Sequence, residues 1–403
     1  MMQAVVLAAG EGTRLRPLTF TKPKVMLPIA NKPILEHLID ELVKAGIDEV
    51  VLIVGYKDER VRNHFGKEWN NVSIEYATQR KQQGTADALK AASHLVNDEF
   101  LMLNGDAIVS SNDITKIVKA NGNVIAVKEV PNPQDFGVVE IQNGFVKSII
   151  EKPEKPATNL INAGIYKFDE KILDYVERTQ LSIRGEYEIT ESISLAIANN
   201  EKFKAVRIEE WIDIGYPWDM LKANEYMLNK IERKIEGKIE ENVVIKGKVV
   251  VGEDTIIKSG SYIVGPTIIG KNCEIGPNSY IRPYTTIGNN CHIGICEIKN
   301  SIVMTNTKIP HFNYVGDSII GENCNFGAGT KIANLRLDDK EIHVSIKGRK
   351  IPTGRRKLGA VVGDNVKTGI NVSINVGCMI GNDVFLAPHT KVEGFIEPYS
   401  KVF

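Results

Sequence analysis

The chain has 403 residues, 43% of them hydrophobic and 25% charged, which predicts a globular protein of two or three domains with sizeable cores. Lys plus Arg and Asp plus Glu both number 50, so the net charge gives no argument for nucleic acid or a membrane as a partner, and any anion site has to be local. Because a basic leader and any run of roughly 18 apolar residues are also missing, we expect a cytoplasmic protein.

The first 105 residues alternate apolar strands with amphipathic helices. Residues 4–8 and 50–54 predict strands, and the helix between them should end at Gly46. Further strands at residues 74–76 and 100–103 lie on either side of a helix near residues 85–95. This alternation predicts a Rossmann-like α/β sheet with its ligand at the carboxyl ends of parallel strands.

A loop of small residues follows the first strand. Its consecutive backbone N–H groups can point inward around an anion, and Arg14 and Lys24 can add the positive charge that glycines lack. The loop lacks a third glycine at Leu15 for a dinucleotide site and the Gly-Lys-Ser/Thr of a P-loop. It therefore predicts a triphosphate site formed by Leu7, Ala8, Ala9, Gly10, Gly12 and Thr13.

The whole string resembles the signature of the sugar-1-phosphate nucleotidylyltransferases, Leu-Ala-Ala-Gly-x-Gly-Thr-Arg-Leu followed by Lys-Pro-Lys and Pro-Ile-x-x-Lys-Pro. The resemblance implies that Arg14 and Lys24 are catalytic and neutralise the α-phosphate and the leaving pyrophosphate. It also implies that Gln79 reads the edge of the base in UTP or dTTP. Further implied contacts are Gly84 and Thr85 to the nucleotide, Asp106 and Asp213 to a shared Mg²⁺, and Gly137, Glu151, Lys152 and Asn162 to the sugar.

The second half of the chain is a hexapeptide repeat. Nine aliphatic residues stand six apart, at positions 245, 251, 257, 263, 269, 275, 281, 287 and 293. This spacing predicts a left-handed parallel β-helix, in which each aliphatic side chain points into a narrow core. Glycines at positions 252, 270, 276, 288 and 294 follow these residues, and we expect a demanding φ there.

One amphipathic helix, at about residues 218–236, should join the two halves. We therefore place a nucleotidyltransferase domain at residues 1–237 and a β-helix domain at residues 238–403. The six-residue rhythm breaks after Ile293, returns at Ile320, breaks again, and resumes at Val362. All five cysteines fall in this half without a Cys-x-x-Cys pair, which predicts small buried residues and not metal or redox sites.

The first break in the rhythm resembles the acetyltransferase half of the bifunctional bacterial enzymes that acetylate glucosamine-1-phosphate and uridylylate the product, and archaeal proteins of the same plan. The resemblance makes His311 the general base toward the sugar amine, a role that suits the near-neutral pKa of histidine. It implies an acetyl-acceptor site of Arg282, Lys299, Tyr314, Asn325 and Asn334, and contacts from Ala328 and Thr368 to acetyl-CoA.

Between Asn334 and Ala360 a basic segment departs from the bacterial pattern. It is either a solvated loop or an arm that crosses to a neighbouring subunit to hold phosphates, because the resemblance implies a homotrimer with sites between subunits. The preferred base and the sugar epimer stay open.

Two alternatives to a bifunctional enzyme remain. In the first, the chain is a nucleotidylyltransferase whose β-helix serves only assembly or regulation, and His311 argues against it. In the second, it is a non-catalytic regulatory subunit, which should have lost Arg14, Lys24, Asp106 or Asp213 and has lost none of them.

Overall fold

The computed structural model describes residues 2–403, which separate into two compact units. The first holds residues 2–11, 23–26 and 34–213, and the second holds residues 12–22, 27–33 and 214–403. The boundary near residue 237 stays a prediction. Of the helices in residues 2–403, none has the length and apolar character needed to cross a bilayer.

The first unit is built on a ten-stranded mixed sheet. The strands Glu99–Asn104, Gln3–Leu7, Glu49–Val54 and Val72–Thr78 are neighbours and run parallel, as the alternation of strands and helices predicts. In spatial order the ten strands are Gly137–Gln142, Phe145–Glu151, Phe203–Arg207, Asn123–Glu129, Leu160–Asp169, Glu99–Asn104, Gln3–Leu7, Glu49–Val54, Val72–Thr78 and Glu68–Trp69. A separate pair joins Ala107–Val109 to Trp211–Asp213.

Both faces of this sheet are buried. Ala4 and Val6 of the first strand belong to one apolar core and Val5 belongs to the other, as expected when consecutive side chains point to opposite faces. The first helix ends as predicted, since Gly46 has φ of 85° and its N–H bonds to the Val43 carbonyl. The α-helices are Ile34–Lys44, Glu59–Phe65, Thr85–Ala92, Ser111–Lys119, Ile172–Arg178 and Ile189–Ala198.

The second unit is a parallel β-helix with three columns of short strands. One column holds Lys234–Ile235, Val249–Val251, Thr267–Ile269, Thr285–Ile287, Ile302–Val303, Ile319–Ile320, Val361–Val362, Met379–Ile380 and Phe395–Ile396. The next holds Lys238–Ile239, Ile256–Ile257, Glu274–Ile275, His292–Lys299, Lys308–Gly316, Asn325–Phe326, Lys367–Thr368, Phe385–Leu386 and Lys401–Val402. The long strands His292–Lys299 and Lys308–Gly316 turn into the third column, which also holds Val244–Lys246, Tyr262–Val264, Tyr280–Ile281, Lys331–Ile332, Ser373–Ile374 and Lys391–Val392.

The predicted inward positions form the core of this unit. Every aliphatic residue of the first run from Val251 to Ile293 is fully buried, and Ile245 packs against the cluster from its edge. The five cysteines are buried and unpaired, as expected. The hexapeptide prediction is therefore confirmed.

The first predicted break does not interrupt the coil. Ile298, Val303, Ile309 and Val315 are all fully buried in the same core, and Ile298 is the register partner of both Ile281 and Val315. Three of the steps here span five residues in place of six, which is why a search for a strict period of six misses them. The six-residue spacing thus breaks after Ile293 while the core continues, and the outer surface of these coils carries the second group of candidate site residues.

The expectation about the repeat glycines was also wrong in most cases. Only Gly276 of the five has a positive φ. At Gly252 an added Cβ would lie 2.7 Å from the Gly270 carbonyl carbon, and at Gly294 it would lie 1.7 Å from the Pro310 oxygen. These glycines are needed because the backbone of the next coil approaches closely.

The joining helix is shorter than predicted. It runs from Pro217 to Asn229, with Tyr216 and Asp219 forming its N-terminal capping box. Ile235, expected in its last turn, lies instead in a strand paired with Val251, because those residues build the first coil of the β-helix.

The basic segment is not simply a solvated loop. Its strands His343–Ile346 and Arg349–Pro352 form an antiparallel hairpin. The side chains of Ile342 and Val344 are buried, and they lie next to Gly377 of the same chain, where an added Cβ would be 3.0 Å and 3.3 Å from them. This hairpin therefore packs on its own β-helix through an apolar edge.

Candidate functional site

In the first unit, a lysine and an aspartate meet where two parallel strands end. Leu7 and Asn104 are register partners at the ends of their strands, and the Gly105 N–H donates to the Leu7 carbonyl at 2.9 Å. A Cβ on Gly105 would lie 2.7 Å from that carbonyl oxygen, so only glycine permits this approach. The next residue, Asp106, accepts from Lys24 Nζ at 2.6 Å.

The second predicted metal ligand lies nearby in the same unit. Asp213 is paired in register with Ala107, the residue after Asp106, across two antiparallel strands. Carboxylate oxygens, such as those of Asp106 and Asp213, are ligands that Mg²⁺ prefers. Within residues 2–403 no cluster of three or more His, Cys, Asp or Glu side chains is positioned to hold a metal, so an ion here would take its other ligands from the nucleotide and water.

Backbone contacts and conformation define the two ends of the predicted phosphate loop. Ala8 and Ala9 are held in the first unit, where the Ala8 N–H donates to Ile53 and the Ala9 carbonyl accepts from Tyr56. Gly10 has open space around the position of a Cβ. Gly12, Thr13 and Arg14 belong to the second unit, and Gly12 has φ of 63°, which favours glycine.

Gln79 is a buried side chain held in one orientation. Its Nε2 donates to the Gly84 carbonyl at 3.0 Å and to Asp87 Oδ2 at 2.7 Å. Gly84 has φ of 122°, and a Cβ there would lie 2.3 Å from the Tyr187 carbonyl oxygen. The Thr85 hydroxyl accepts from the Ile189 N–H at 2.9 Å. Gly84 and Thr85 thus fix the backbone around Gln79, whose Oε1 is the group suited to accept a base N–H.

The predicted sugar-site residues come together in the first unit. A Cβ on Gly137 would lie 2.9 Å from Glu151 Oε2 and 3.6 Å from Asn162 Cβ. Burial raises the pKa of the Glu151 carboxyl, against the lowering effect of the neighbouring Lys152. Asn162 is fixed by Tyr166, whose hydroxyl accepts from its Nδ2 at 2.6 Å. A carboxylate and an amide, both able to hydrogen-bond to hydroxyls, therefore lie close to Gly137.

In the second unit, a buried carboxylate collects the second group of candidate residues. Asp317 Oδ2 accepts from Lys299 Nζ at 3.1 Å and from Asn334 Nδ2 at 2.6 Å. Asp317 Oδ1 accepts from Asn300 Nδ2 at 2.9 Å, and Arg355 Nη2 lies 3.9 Å from it. We call these five residues the Asp317 cluster. Arg355 comes from the basic segment of the same chain.

Two further acceptor-site residues adjoin this cluster. A Cβ on Gly316 would lie 2.7 Å from the Tyr314 hydroxyl and 2.6 Å from Asn334 Nδ2, so the two side chains converge over a glycine. Glu297 is the register partner of Tyr314, and its carboxylate accepts from Arg282 Nη1 at 2.7 Å. Arg282, Tyr314 and Asn334 are therefore arranged along one edge of the β-helix.

His311 is exposed and lies beside the predicted acetyl-CoA contact. Its carbonyl accepts from the Gly329 N–H at 2.9 Å, which brings Ala328 to its side. Asn325 is also exposed, on the next coil. Thr368, in contrast, occupies an inward position, where its hydroxyl accepts from the Gly327 N–H and contacts Thr330 Oγ1 at 2.7 Å. The Thr368 side chain thus shapes the backbone next to Ala328.

Several residues at these sites were not among the predicted site residues. Arg184 Nη1 lies 3.4 Å from Glu151. Glu297 and Asp317 accept hydrogen bonds from acceptor-site side chains, and Asn300 and Arg355 lie against Asp317. Asp317 and Glu297 lie in the same motif segments as Tyr314 and Lys299, and this was the only available signal for them. Arg355 reaches the cluster from a distant hairpin, which no spacing in the sequence indicates.

Comparisons with known proteins match both halves of the chain. The nucleotidyl transferase family model matches residues 3–230, and the model of the GMPPB C-terminal domain matches residues 263–367. The "Bifunctional protein GlmU" of Methanocaldococcus jannaschii is 48% identical over 406 residues, covering 100% of this chain and 97% of the relative. The "Bifunctional sugar-1-phosphate nucleotidylyltransferase/acetyltransferase" of Sulfurisphaera tokodaii is 46% identical over 386 residues, covering 94% of each.

The fold of the first unit is also found among solved structures. A UDP-glucose pyrophosphorylase complexed with UDP-glucose superposes with a TM-score of 0.52 at 22% identity, covering 57% of this chain and 100% of that one.

Proposed function

The chain belongs to the family of bifunctional sugar-1-phosphate nucleotidylyltransferase/acetyltransferases, and on that premise we propose the substrates and the residues of its two reactions. In the first proposed reaction, a nucleotidyl group is transferred from UTP or dTTP to N-acetylglucosamine-1-phosphate, with glucose-1-phosphate as a further acceptor. In the second, the β-helix transfers an acetyl group from acetyl-CoA to glucosamine-1-phosphate, with galactosamine-1-phosphate as a further acceptor.

In nucleotidyl transfer the protein positions two phosphates and neutralises their charge. A phosphate oxygen of the sugar-1-phosphate attacks the α-phosphorus in line, a new P–O bond forms, and the bond to the β-phosphate breaks to release pyrophosphate. Arg14 and Lys24 neutralise the charge that builds on the α-phosphate and the leaving group. Gln79 reads the base, and Glu151, Lys152 and Asn162 orient the sugar. No enzyme nucleophile is required.

The carboxylates of Asp106 and Asp213 would hold Mg²⁺, which when bound offsets the charge of the triphosphate. The pairing of Lys24 with Asp106 at 2.6 Å leaves neither charge uncompensated before substrate arrives. Lys24 would then be available to a phosphate and Asp106 to the metal.

In acetyl transfer His311 removes a proton from the sugar amine. The nitrogen attacks the thioester carbonyl, and the Ala328 N–H stabilises the oxyanion. The C–S bond then breaks to give the amide, and the leaving thiolate takes the proton held by His311 to give CoA-SH. Arg282 and Lys299 bind the acceptor phosphate, while Tyr314, Asn325 and Asn334 orient the sugar. As in the family resemblance, we propose a homotrimer.

The observation that carries the acetyl-transfer proposal is the Asp317 cluster, which brings Lys299 and Asn334 onto one buried carboxylate. A β-helix that served only assembly would have no need for buried, charged groups at this position. The full-length relatives with bifunctional names likewise do not favour the monofunctional alternative.

The two reactions are tested by separating them. Lys24→Ala should abolish pyrophosphate release and leave CoA-SH release intact, and His311→Ala should do the reverse. Each variant serves as the folding control for the other. Loss of both products in either folded variant would contradict two independent sites. A panel of hexosamine-1-phosphates with acetyl-CoA, followed by an assay of free thiol, identifies the acceptor.

A further inference from the structure

Lys22 is a buried cation to which the proposed mechanism gives no role. Its side chain is 3% exposed, and its Nζ lies 2.8 Å from Glu322 Oε1 and 3.2 Å from Asp364 Oδ2. The preceding residue, Thr21, also donates to Asp364. A lysine is almost never buried to this extent unless it is paired, so this arrangement is a specific anchor.

The two acids that hold Lys22 come from successive coils of the β-helix. The Glu322 N–H donates to Asp364 Oδ1 at 2.7 Å, which places both side chains at the same corner. An ordinary ion pair at this corner is different: Lys271 pairs with Glu253 at 2.6 Å, and both of those side chains are more than half exposed. Ion pairs at this corner are therefore not buried in general, and the burial of Lys22 is specific to its position.

The residues between Gly12 and Lys22 form one tightly connected piece. The Gly12 carbonyl accepts from the Leu15 N–H at 2.8 Å and from Thr19 Oγ1 at 2.9 Å. Leu15, Leu18 and Thr19 are each 1% exposed. A piece with these internal bonds moves as a whole, so the position of Lys22 sets the position of its other end.

That other end carries Arg14. The Arg14 side chain is exposed, and its guanidinium lies 5.5 Å from the centre of the Tyr216 ring, which stacks on Trp218. This contact orients the side chain, but a cation over a ring at an exposed site is a weak interaction. The backbone from which Arg14 extends has to be fixed by something stronger.

We propose that Lys22 is a positioning residue for nucleotidyl transfer: by locking between Glu322 and Asp364 of the β-helix, it fixes the segment that carries Arg14. The inference rests on the proposed function, which alone assigns Arg14 to the triphosphate.

The test compares Lys22→Met in the full-length chain with Lys271→Met, which breaks the exposed pair at the same corner. We expect Lys22→Met to lower kcat for pyrophosphate release roughly 10- to 100-fold, the scale of a small misplacement of a catalytic group, with KM for UTP nearly unchanged. Acetyl transfer should stay at the wild-type rate in both variants. Lys22→Arg should restore part of the lost rate, and Lys271→Met should leave both rates unchanged.

A double variant separates positioning from stability. Lys22→Met leaves Asp364 buried without its cation, and Lys22→Met with Asp364→Asn removes that unpaired charge. We expect the double variant to regain thermal stability but not kcat. Recovery of both, or a wild-type kcat in Lys22→Met, would overturn the inference. Asp364→Asn alone repeats the test if Lys22→Met does not fold. Failure of the wild type itself to release pyrophosphate would refute the proposed function instead.

Discussion

Asn334 donates from Nδ2 to Asp317 Oδ2 at 2.6 Å, although the two residues lie 17 positions apart. One turn of the β-helix separates them, so the coil repeat places an amide over a carboxylate. The same carboxylate also binds Lys299. Asp317 therefore sets the positions of two groups that we assign to the acetyl acceptor.

Asp317→Asn should weaken acceptor binding. An asparagine keeps the shape but removes the charge that holds Lys299, and a hydrogen bond to a charged group contributes about 1.5–3 kcal/mol, so KM for glucosamine-1-phosphate should rise roughly 10- to 100-fold. Pyrophosphate release in the same variant reports that the chain is folded. Asp383→Asn, at a partly exposed corner of the β-helix, is the matched control, and an equal effect of both variants would contradict a specific role.

Two glycines should affect the two reactions separately. Gly316→Ala places a Cβ 2.7 Å from the Tyr314 hydroxyl and 2.6 Å from Asn334 Nδ2, so we expect acetyl transfer to fall by roughly 100-fold, the scale of an ångström-sized displacement. Gly105→Ala, whose Cβ would meet the Leu7 carbonyl at 2.7 Å, should instead lower pyrophosphate release. Release of pyrophosphate and of CoA-SH is measured in both variants. Loss of the opposite activity in each variant, or equal loss of both activities, would contradict the assignment.

Adjacent isoleucines in one strand should differ sharply in their contribution to stability. Ile257 points inward and is fully buried, whereas Ile256 points outward and is 37% exposed. Ile257→Ala should lower the free energy of unfolding by roughly 2–5 kcal/mol because it leaves a cavity. Ile256→Ala should cost about 1 kcal/mol or less. Denaturant unfolding measures both, and equal losses would contradict the inward and outward assignment.

The stability of the first unit should carry a pH dependence that comes from Glu151. Burial raises the pKa of this carboxyl above its ordinary 4.5, so the folded state favours the neutral form. The resulting stabilisation is complete below pH 4.5 and is lost as the pH rises through the raised pKa. Relative to Glu151→Gln, which stays neutral, the wild type should therefore lose stability over that range. Thermal midpoints of both proteins across the range provide the measurement, and a constant or inverted difference would exclude this effect.

The repeats made most of the fold predictable, whereas the contacts within the acceptor site were less so. The inward positions of Ile257 and Ile281 follow from the spacing alone, because each hexapeptide of a β-helix points one aliphatic side chain into the core. The inward positions of Ile298 and Val303 were missed because the step to each spans five residues. The turn is one residue shorter there, and the side chain still points inward. A strict period of six therefore fails to identify these core residues, although the core continues through them.

The two candidate sites also differed in how far their contacts could be predicted from the sequence. Lys24 and Asp106 follow motifs that end neighbouring strands, so their proximity follows from the parallel sheet. Arg355 could not be found by such an argument, because a hairpin with its own small apolar edge brings it back to Asp317. Lys22 was visible in the sequence, but only the stacked corner formed by Glu322 and Asp364 gives it a function.

The hairpin segment leaves and rejoins the β-helix at nearly the same point, since the Leu358 N–H donates to the Asn334 carbonyl at 3.0 Å. A loop whose ends are already joined can change in length at little entropic cost and without altering the coils on either side. Residues 335–357 can therefore lengthen or shorten while the coils on either side keep their register.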